Sequence, residues 1–285
     1  MTTYRTTAHA KLNLTLDVVG KRPDGYHDLQ MVMQEITLGD EITLTLETGE
    51  PWRVISGSGE IPCDDSNLCI KAARLFFDAT GLDPRGLTVE IQKNTPVCAG
   101  MGGGSADGAA VLRLLQQHYN APLSEIDLYK IAEQVGSDVP FALFGGTALA
   151  EEKGQVLTRI SPMPPCHILL CKPSFPISTP ELFRAIDSEH ISCRPDTRGM
   201  MEALRSGDMA SVAQKLCNVF EPVVARSHPE IAEIKGEMLA HGAKNACMTG
   251  SGPTVFGLFE VQQQAQTCLK SLKTRFSDTY LVKPV

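Results

Sequence analysis

The chain has 285 residues, 42% of them hydrophobic, and 26 basic against 33 acidic side chains give a net charge of −7. That length suits two cores of about 100–150 residues each better than one, and the apolar content excludes an intrinsically disordered chain. The acidic balance, without a stripe of basic residues, argues against a nucleic-acid surface as the main partner. No apolar run approaches the ~18 residues of a membrane span, and Met1–Ala10 lacks a signal-peptide core, so a soluble, untargeted, cytoplasmic protein is expected. Nine cysteines (63, 69, 98, 166, 171, 193, 217, 247, 268) show no Cys-x-x-Cys and no zinc-type cluster. They predict small thiols in a reducing compartment, with neither a disulfide framework nor a protein-built metal site.

In chain order, Lys11–Val18 alternates completely, with Leu12, Leu14, Leu16 and Val18 on one face and Lys11, Asn13, Thr15 and Asp17 on the other, which predicts a strand. Met31–Leu38 and Glu41–Leu46 read as strands joined in a hairpin at Gly39-Asp40. Asp65-Ser66 is expected to cap a helix from Leu68 to about Phe77, closed by Gly81. Leu87, Val89 and Ile91 mark another strand, a glycine-rich loop follows, and a helix runs through Val111 and Leu115. Ser124 opens the next helix, which stops at Gly136. Strands follow at 147–150 and 156–160. The proline cluster at 161–165 sets a boundary between domains 1–162 and 163–285. The second half reads as strand 167–171, a helix entered by Thr179-Pro180-Glu181, helices near 198–205, 208–217 and 229–240, strand 245–248, a Gly250-Ser251-Gly252 turn, strand 254–259, helix 261–275 and strand 280–282. Strands and helices mixed without regular βαβ alternation predict an α+β fold in both halves.

The densest signal is Pro96-Val97-Cys98-Ala99-Gly100-Met101-Gly102-Gly103-Gly104-Ser105-Ala106. Glycines remove the side chains that would hold an anion off the backbone, and the helix that follows points unpaired N–H groups and its positive dipole end at the same place. The segment predicts a phosphate cradle. It is not a Walker A loop, because no Gly-Lys-Ser/Thr is present, and Ser105 replaces the last glycine of a dinucleotide G-x-G-x-x-G.

This segment resembles the central ATP-binding motif of the GHMP kinases, a superfamily of small-molecule kinases. Ala10-Lys11-Leu12-Asn13-Leu14 and Met248-Thr249-Gly250-Ser251-Gly252-Pro253 resemble its other two motifs, in the right order. The extension Gly20-Lys21-Arg22-Pro23-Asp24-Gly25-Tyr26-His27-Asp28-Leu29, with Gly136-Ser137-Asp138-Val139-Pro140-Phe141, resembles the branch that phosphorylates 4-diphosphocytidyl-2-C-methyl-D-erythritol in the non-mevalonate isoprenoid route. Met101 stands where leucine is frequent, and Ala106-Asp107-Gly108 where Ser-Asp-Ala is usual, so one hydroxyl beside the phosphates is lost while Ser105 keeps the other.

The resemblance implies a two-domain α+β fold, with an N-terminal domain like ribosomal protein S5 domain 2 and a ferredoxin-like C-terminal domain. It implies ATP as co-substrate with Mg²⁺ on the nucleotide, and a monomer or weak homodimer. Asp138 would be the catalytic base, and Lys11 its cationic partner on the γ-phosphate, although as a bare residue Lys11 is also what a solvated strand lysine looks like. Asn67 and Lys93 match positions near the adenosine, yet read alone as ordinary helix-start and strand-end polar residues. Asn13 would touch the substrate, Tyr26 would stack on the cytosine, and His27 would hydrogen-bond it. Phe183 is either the second aromatic across the base or a core phenylalanine, and Thr179 either reaches the diphosphate or caps its helix. Gly250, Ser251 and Gly252 either press against the substrate and the first glycine loop or form a plain hairpin turn. Two rival readings are another GHMP kinase and a non-catalytic nucleotide-binding paralogue.

Overall fold

The structure, a computed structural model, describes all residues except 48, 58, 189, 190, 192 and 193, so Cys193 lies outside the described residues. The chain divides into two compact units that interleave in sequence: Met1–Ala10, Leu38–Val97 and Gly102–Gly145 form one, and Lys11–Thr37, Cys98–Met101 and Gly146–Val285 the other. Strand β1 (Thr2–Lys21) and strand β2 (His27–Leu46) each contribute to both. From Ala10 to Val18 every residue of β1 is buried, polar and apolar faces alike. The alternation predicts a half-exposed strand; the polar face is instead covered and paired.

The expected hairpin at Gly39-Asp40 is not formed, because β2 runs straight through both residues. The glycine serves a different purpose there. A side chain at Gly39 would meet the carbonyl oxygen of Ala8 at 2.7 Å, so glycine marks where β1 passes closely. Asp40 is fully buried and accepts the backbone N–H groups of Asn94 and Thr95, both at 2.7 Å.

In the first unit, strand β3 (Arg53–Ser56) pairs in parallel with strand β4 (Leu87–Gln92), and β4 pairs antiparallel with β2 through Glu41–Leu46. Between them in the chain lies helix α1 (Leu68–Thr80), capped by Asn67 rather than by Asp65-Ser66: Asn67 Oδ1 accepts from the Cys69 N–H at 2.9 Å, while Asp64 engages Ser66. Gly81 closes α1 in the left-handed conformation, φ +66°. Helices α2 (Gly103–His118), α3 (Glu125–Val135) and the short α4 (Val139–Phe144) complete the unit. Ser124 caps α3 through the Asp127 N–H. Leu44, Phe76, Val89, Leu112 and Val135 sit in one continuous core, and each such side chain fully buried contributes about 1.5–3 kcal/mol.

In the second unit, strand β5 (Thr147–Glu152) pairs antiparallel with β2 and with strand β6 (Val156–Arg159). Strand β7 (His167–Cys171) is followed by helices α5 (Thr179–Ser188), α6 (Thr197–Ser206) and α7 (Met209–Gln214). The two-residue strand β8 (Cys217–Asn218) pairs in parallel with β1 at Thr15–Leu16. Helices α8 (Glu221–Ser227) and α9 (Glu230–Ala240), strands β9 (Asn245–Met248) and β10 (Val255–Phe259), helix α10 (Gln262–Lys273) and strand β11 (Thr279–Val282) finish the chain. The sheet order β11-β7-β10-β9 is antiparallel throughout, with α9 and α10 packed on it, which is the ferredoxin-like arrangement. Among the described residues no helix is long and apolar enough to cross a membrane.

Candidate active site

The glycine segment leaves strand β4 and ends in α2. Gly102 precedes the helix in the left-handed region at φ +68°, and the Ala106 N–H donates to its carbonyl at 2.9 Å. The N–H groups of Gly103, Gly104 and Ser105, ahead of that first bond, are left without intrahelical acceptors. Gly104 is exposed, and a side chain there would meet nothing closer than Leu68 Cδ1 at 3.8 Å, so the helix end is open for an anion to reach the backbone. Ser105 and Gly103 are half-buried, and Met101 and Ala106 are buried. Pro96 and Val97 are half-buried and Ala99 is buried, whereas Cys98 is exposed and held at φ +52°, a conformation non-glycine residues rarely adopt.

The first part of the loop packs against the turn after β9. A side chain at Gly100, φ +73°, would collide with the Thr249 carbonyl oxygen, and one at Gly250, φ +58°, would lie 2.6 Å from the Gly100 carbonyl oxygen. The turn therefore both closes the β9–β10 hairpin and abuts the glycine loop. Asn218 holds it there, its Nδ2 donating to the carbonyls of Met248 and Gly250, each at 2.8 Å. No local pattern marks Asn218, because its role arises from a two-residue strand.

Lys11 is 7% exposed and Asn13 is fully buried. Lys11 Nζ donates to Asn13 Oδ1 at 2.8 Å, and the Lys11 N–H donates to the Met101 carbonyl at 3.0 Å, so this lysine touches the loop through its backbone. The Asn13 N–H donates to Thr249 Oγ1 at 2.9 Å. The first and third sequence motifs thus meet at Asn13 and Thr249, while the Asn13 amide accepts from Lys11 through Oδ1 and donates from Nδ2 to Met31 Sδ at 3.2 Å.

Asp138 is half-buried and stands immediately before α4. Val139–Phe144 is a short helix whose first turn contains Pro140, and its Ala142 N–H donates to the Asp138 carbonyl at 3.1 Å. Helix and proline together fix the backbone that carries the carboxylate.

Of the residues expected near the nucleotide, Asn67 uses both ends of its amide internally, capping α1 and donating from Nδ2 to the Pro62 carbonyl at 2.7 Å. Lys93 is also internal: its Nζ lies 2.5 Å from Asp40 and 3.0 Å from Asp107. Burial works against the Lys93 charge, but the two carboxylates outweigh it and hold its pKa above the ordinary lysine value. Burial pushes Asp107 up to about 7, with Lys93 opposing and Asp40 adding to the rise. Asp107 Oδ1 is buried without a hydrogen-bond partner, which favours the protonated form. A Gly103 side chain would sit 3.5 Å from Lys93 Nζ, so the cluster lies directly under the cradle.

Tyr26 is 63% exposed after a Pro-Asp-Gly turn closed by Gly25 N–H to the Arg22 carbonyl, and Lys153 Nζ stands 4.8 Å from its ring centroid. His27 is stacked on Phe183, centroids 4.7 Å apart, and Phe183 packs edge-on against Phe220 at 5.0 Å. Phe183 is therefore a half-buried ring tied to His27, not a core residue. Asp187, which sequence reasoning missed, accepts from His27 Nε2 at 2.6 Å and from Lys21 Nζ at 2.5 Å. It lies four residues beyond Phe183, one helical turn away, but nothing in the sequence links it to His27. Thr179 is the first residue of α5 rather than its cap, and its Oγ1 is 3.0 Å from Ser251 Oγ, which joins the start of α5 to the glycine turn. Among the described residues no group of three or more His, Cys, Asp or Glu is placed to hold a metal ion.

An open glycine helix end fed by a strand, with a ferredoxin-like sheet later in the chain, defines a class. Residues 67–146 match the family "GHMP kinases N terminal domain", and residues 200–278 match "GHMP kinases C terminal". A protein of Pelotomaculum thermopropionicum named 4-diphosphocytidyl-2-C-methyl-D-erythritol kinase is 45% identical over 88% of this chain and 87% of its own length. A protein of the same name from Clostridium kluyveri is 39% identical over 98% of this chain and 99% of its own. The crystal structure of a 4-(cytidine 5'-diphospho)-2C-methyl-D-erythritol kinase superposes with a TM-score of 0.84 at 31% identity, covering 99% of both chains. The chain belongs to the 4-diphosphocytidyl-2-C-methyl-D-erythritol kinase family of the GHMP kinases. As a GHMP kinase it is a small-molecule kinase with ATP as co-substrate.

Proposed function

We propose that this chain transfers the γ-phosphoryl group of ATP to the 2-hydroxyl of 4-diphosphocytidyl-2-C-methyl-D-erythritol, giving the 2-phosphate and ADP in isoprenoid precursor biosynthesis. The observation that carries this reading is the near full-length match to kinases of that name, 45% identical in one case. Phosphoryl transfer asks a protein for position and charge more than for covalent chemistry. The N–H groups of Gly103, Gly104 and Ser105 receive the nucleotide phosphates at the open end of α2, with Pro96–Met101, Gly102 and Ala106 shaping the approach. Asn67 and Lys93 support this side as framework, capping α1 and standing under the loop.

Asp138 accepts the proton of the attacking hydroxyl as its oxygen bonds to the γ-phosphorus and the bond to ADP breaks. Lys11, aimed by Asn13, neutralises charge on the transferred group. Mg²⁺ bound to the ATP phosphates would supply further charge neutralisation, with no protein carboxylate cluster among the described residues to hold it independently. Tyr26 and Phe183 frame the cytosine, His27 reads its edge, and Thr179 with the 250–252 turn meets the diphosphate. Along the sequence we keep the proline cluster at 161–165 as the boundary between an N-terminal and a C-terminal kinase domain; it falls between the two family matches, although in space it lies within the compact unit that contains Gly146–Val285. We place the enzyme in the cytoplasm as a monomer or weak homodimer, without nucleic-acid or membrane partners. An ADP-release assay tests the reading: turnover with the diphosphocytidyl substrate supports it, and turnover only with homoserine or mevalonate contradicts it.

A further inference from the structure

We infer that Asp187 is a positioning residue that fixes the tautomer of His27 and so sets a preference for cytosine over uracil in the substrate; this rests on the reading that His27 meets the nucleobase. His27 Nε2 lies 2.6 Å from Asp187 Oδ1, and the His27 side chain is 8% exposed. The ring cannot turn away easily, because it lies against Phe183 with 24° between the planes, and Phe183 is itself braced by Phe220. Lys21 binds the other carboxylate oxygen at 2.5 Å. Lys21 first, and His27 second, hold the Asp187 carboxyl below the usual range, so it is ionised and can only accept.

An ionised carboxylate on Nε2 requires the proton to be on Nε2. In a neutral imidazole the other nitrogen then carries a lone pair and no hydrogen. Nδ1 has no protein partner among the described residues, and it is not among the buried atoms sealed from solvent, so that lone pair is available to a ligand. The Watson–Crick edge of cytosine presents an exocyclic amino donor where uracil presents a carbonyl acceptor. An acceptor at Nδ1 pairs with the first and opposes the second. Without Asp187 the ring can place its proton on either nitrogen, and the discrimination is lost while the stacking on Phe183 remains.

The test uses the full-length enzyme and the variants Asp187→Asn and Asp187→Ala, with nitrogen NMR of the His27 side chain at about pH 8, where an ordinary imidazole is neutral. The wild type is expected to show Nε2 protonated and Nδ1 bare, and both variants a mixture of tautomers. In kinetics, KM for the diphosphocytidyl substrate should rise about tenfold in the variants, the loss of one well-made hydrogen bond, with KM for ATP unchanged and kcat little changed. The preference over the diphosphouridyl analogue should fall by a similar factor. A His27 tautomer that is the same with and without Asp187 overturns the inference, as does an equal rise in both KM values or an unaltered base preference. Failure of the wild type to use the diphosphocytidyl substrate at all would overturn the functional reading instead, and the NMR comparison would still decide whether Asp187 sets the tautomer.

Discussion

Lys11 and Asn13 sit two residues apart on one face of β1, and the ammonium of the first donates to the amide oxygen of the second at 2.8 Å in a stretch of strand with no exposed face. A lysine buried to 7% exposure is an expensive residue unless its charge has a purpose, and the asparagine supplies its acceptor and its aim. Lys11→Met should therefore keep the fold and lower kcat by roughly 10²–10³-fold, the scale of a lost charge-stabilising donor. Asn13→Ala should lower kcat less, since the ammonium survives without its guide. Steady-state kinetics on the purified variants, with circular dichroism as the control for folding, decides both.

Asp138→Asn preserves shape and removes proton affinity and charge together. Turnover should fall by roughly 10²–10⁴-fold while ATP binding is retained. The variant combining it with Lys11→Met should be little worse than the worse single variant, because the roles proposed for both lie in one chemical step. Fully additive losses in kcat would show independent roles.

Two glycines of the loop before α2 should separate folding from the nucleotide binding proposed for it. Gly100→Ala puts a side chain into the Thr249 carbonyl at a φ of +73°, so it should lower the melting temperature and destroy activity. Gly104→Ala meets only ordinary contact, 3.8 Å from Leu68, and sits in a helix that prefers alanine. Its melting temperature should hold, and KM for ATP should rise by roughly tenfold or more as the methyl group keeps phosphate off the backbone. Unchanged nucleotide affinity in Gly104→Ala would move the cradle elsewhere.

Burial raises Asp107 from an ordinary 3.8 to about 7, so the native chain holds a proton there that the unfolded chain releases near pH 4. This contribution is fully present below about pH 4 and is lost as pH rises toward 7. Asp107→Asn removes the titration and keeps an acceptor for Lys93. Urea unfolding of wild type and variant from pH 4.5 to 8 should show the wild type losing stability relative to the variant across that window. A difference that does not vary with pH would mean that Asp107 stays ionised beside Lys93.

Asn67→Ala removes the cap of α1 and a bond to the Pro62 carbonyl, and should cost about 1–2 kcal/mol in unfolding free energy. Asp65→Ala, at the position where the cap is expected from sequence, should cost far less, which the same denaturation measurement compares directly.

Most of the fold was legible because its elements carry local signals: the alternation in β1, the Ser124 and Gly81 helix ends, the strands of the ferredoxin-like sheet. Errors arose where tertiary contact overrode a local pattern. Gly39-Asp40 has turn chemistry, but the glycine is there for Ala8 and the aspartate for two distant N–H groups, so the strand continues. The helix α8 is only seven residues long, with Pro222 in its first turn, and shows too little periodicity to be read. At the site, the glycine loop, Lys11, Asp138 and His27 lie in continuous motifs and could be found. Asp187, Asn218, Asp40 and Asp107 could not, because each acts through a partner remote in sequence, from Lys93–Asp107 at 14 residues to Lys21–Asp187 at 166.

Phosphorus NMR of the product tests most directly whether the phosphoryl group goes to the 2-hydroxyl. The 2-hydroxyl sits on a carbon that bears a methyl group and no hydrogen. The predicted result is one new phosphomonoester signal, unsplit by any carbinol proton, growing in step with ADP. A monoester signal split by one or two protons would place the phosphate on a different hydroxyl, and no monoester signal from the diphosphocytidyl substrate would contradict the account altogether.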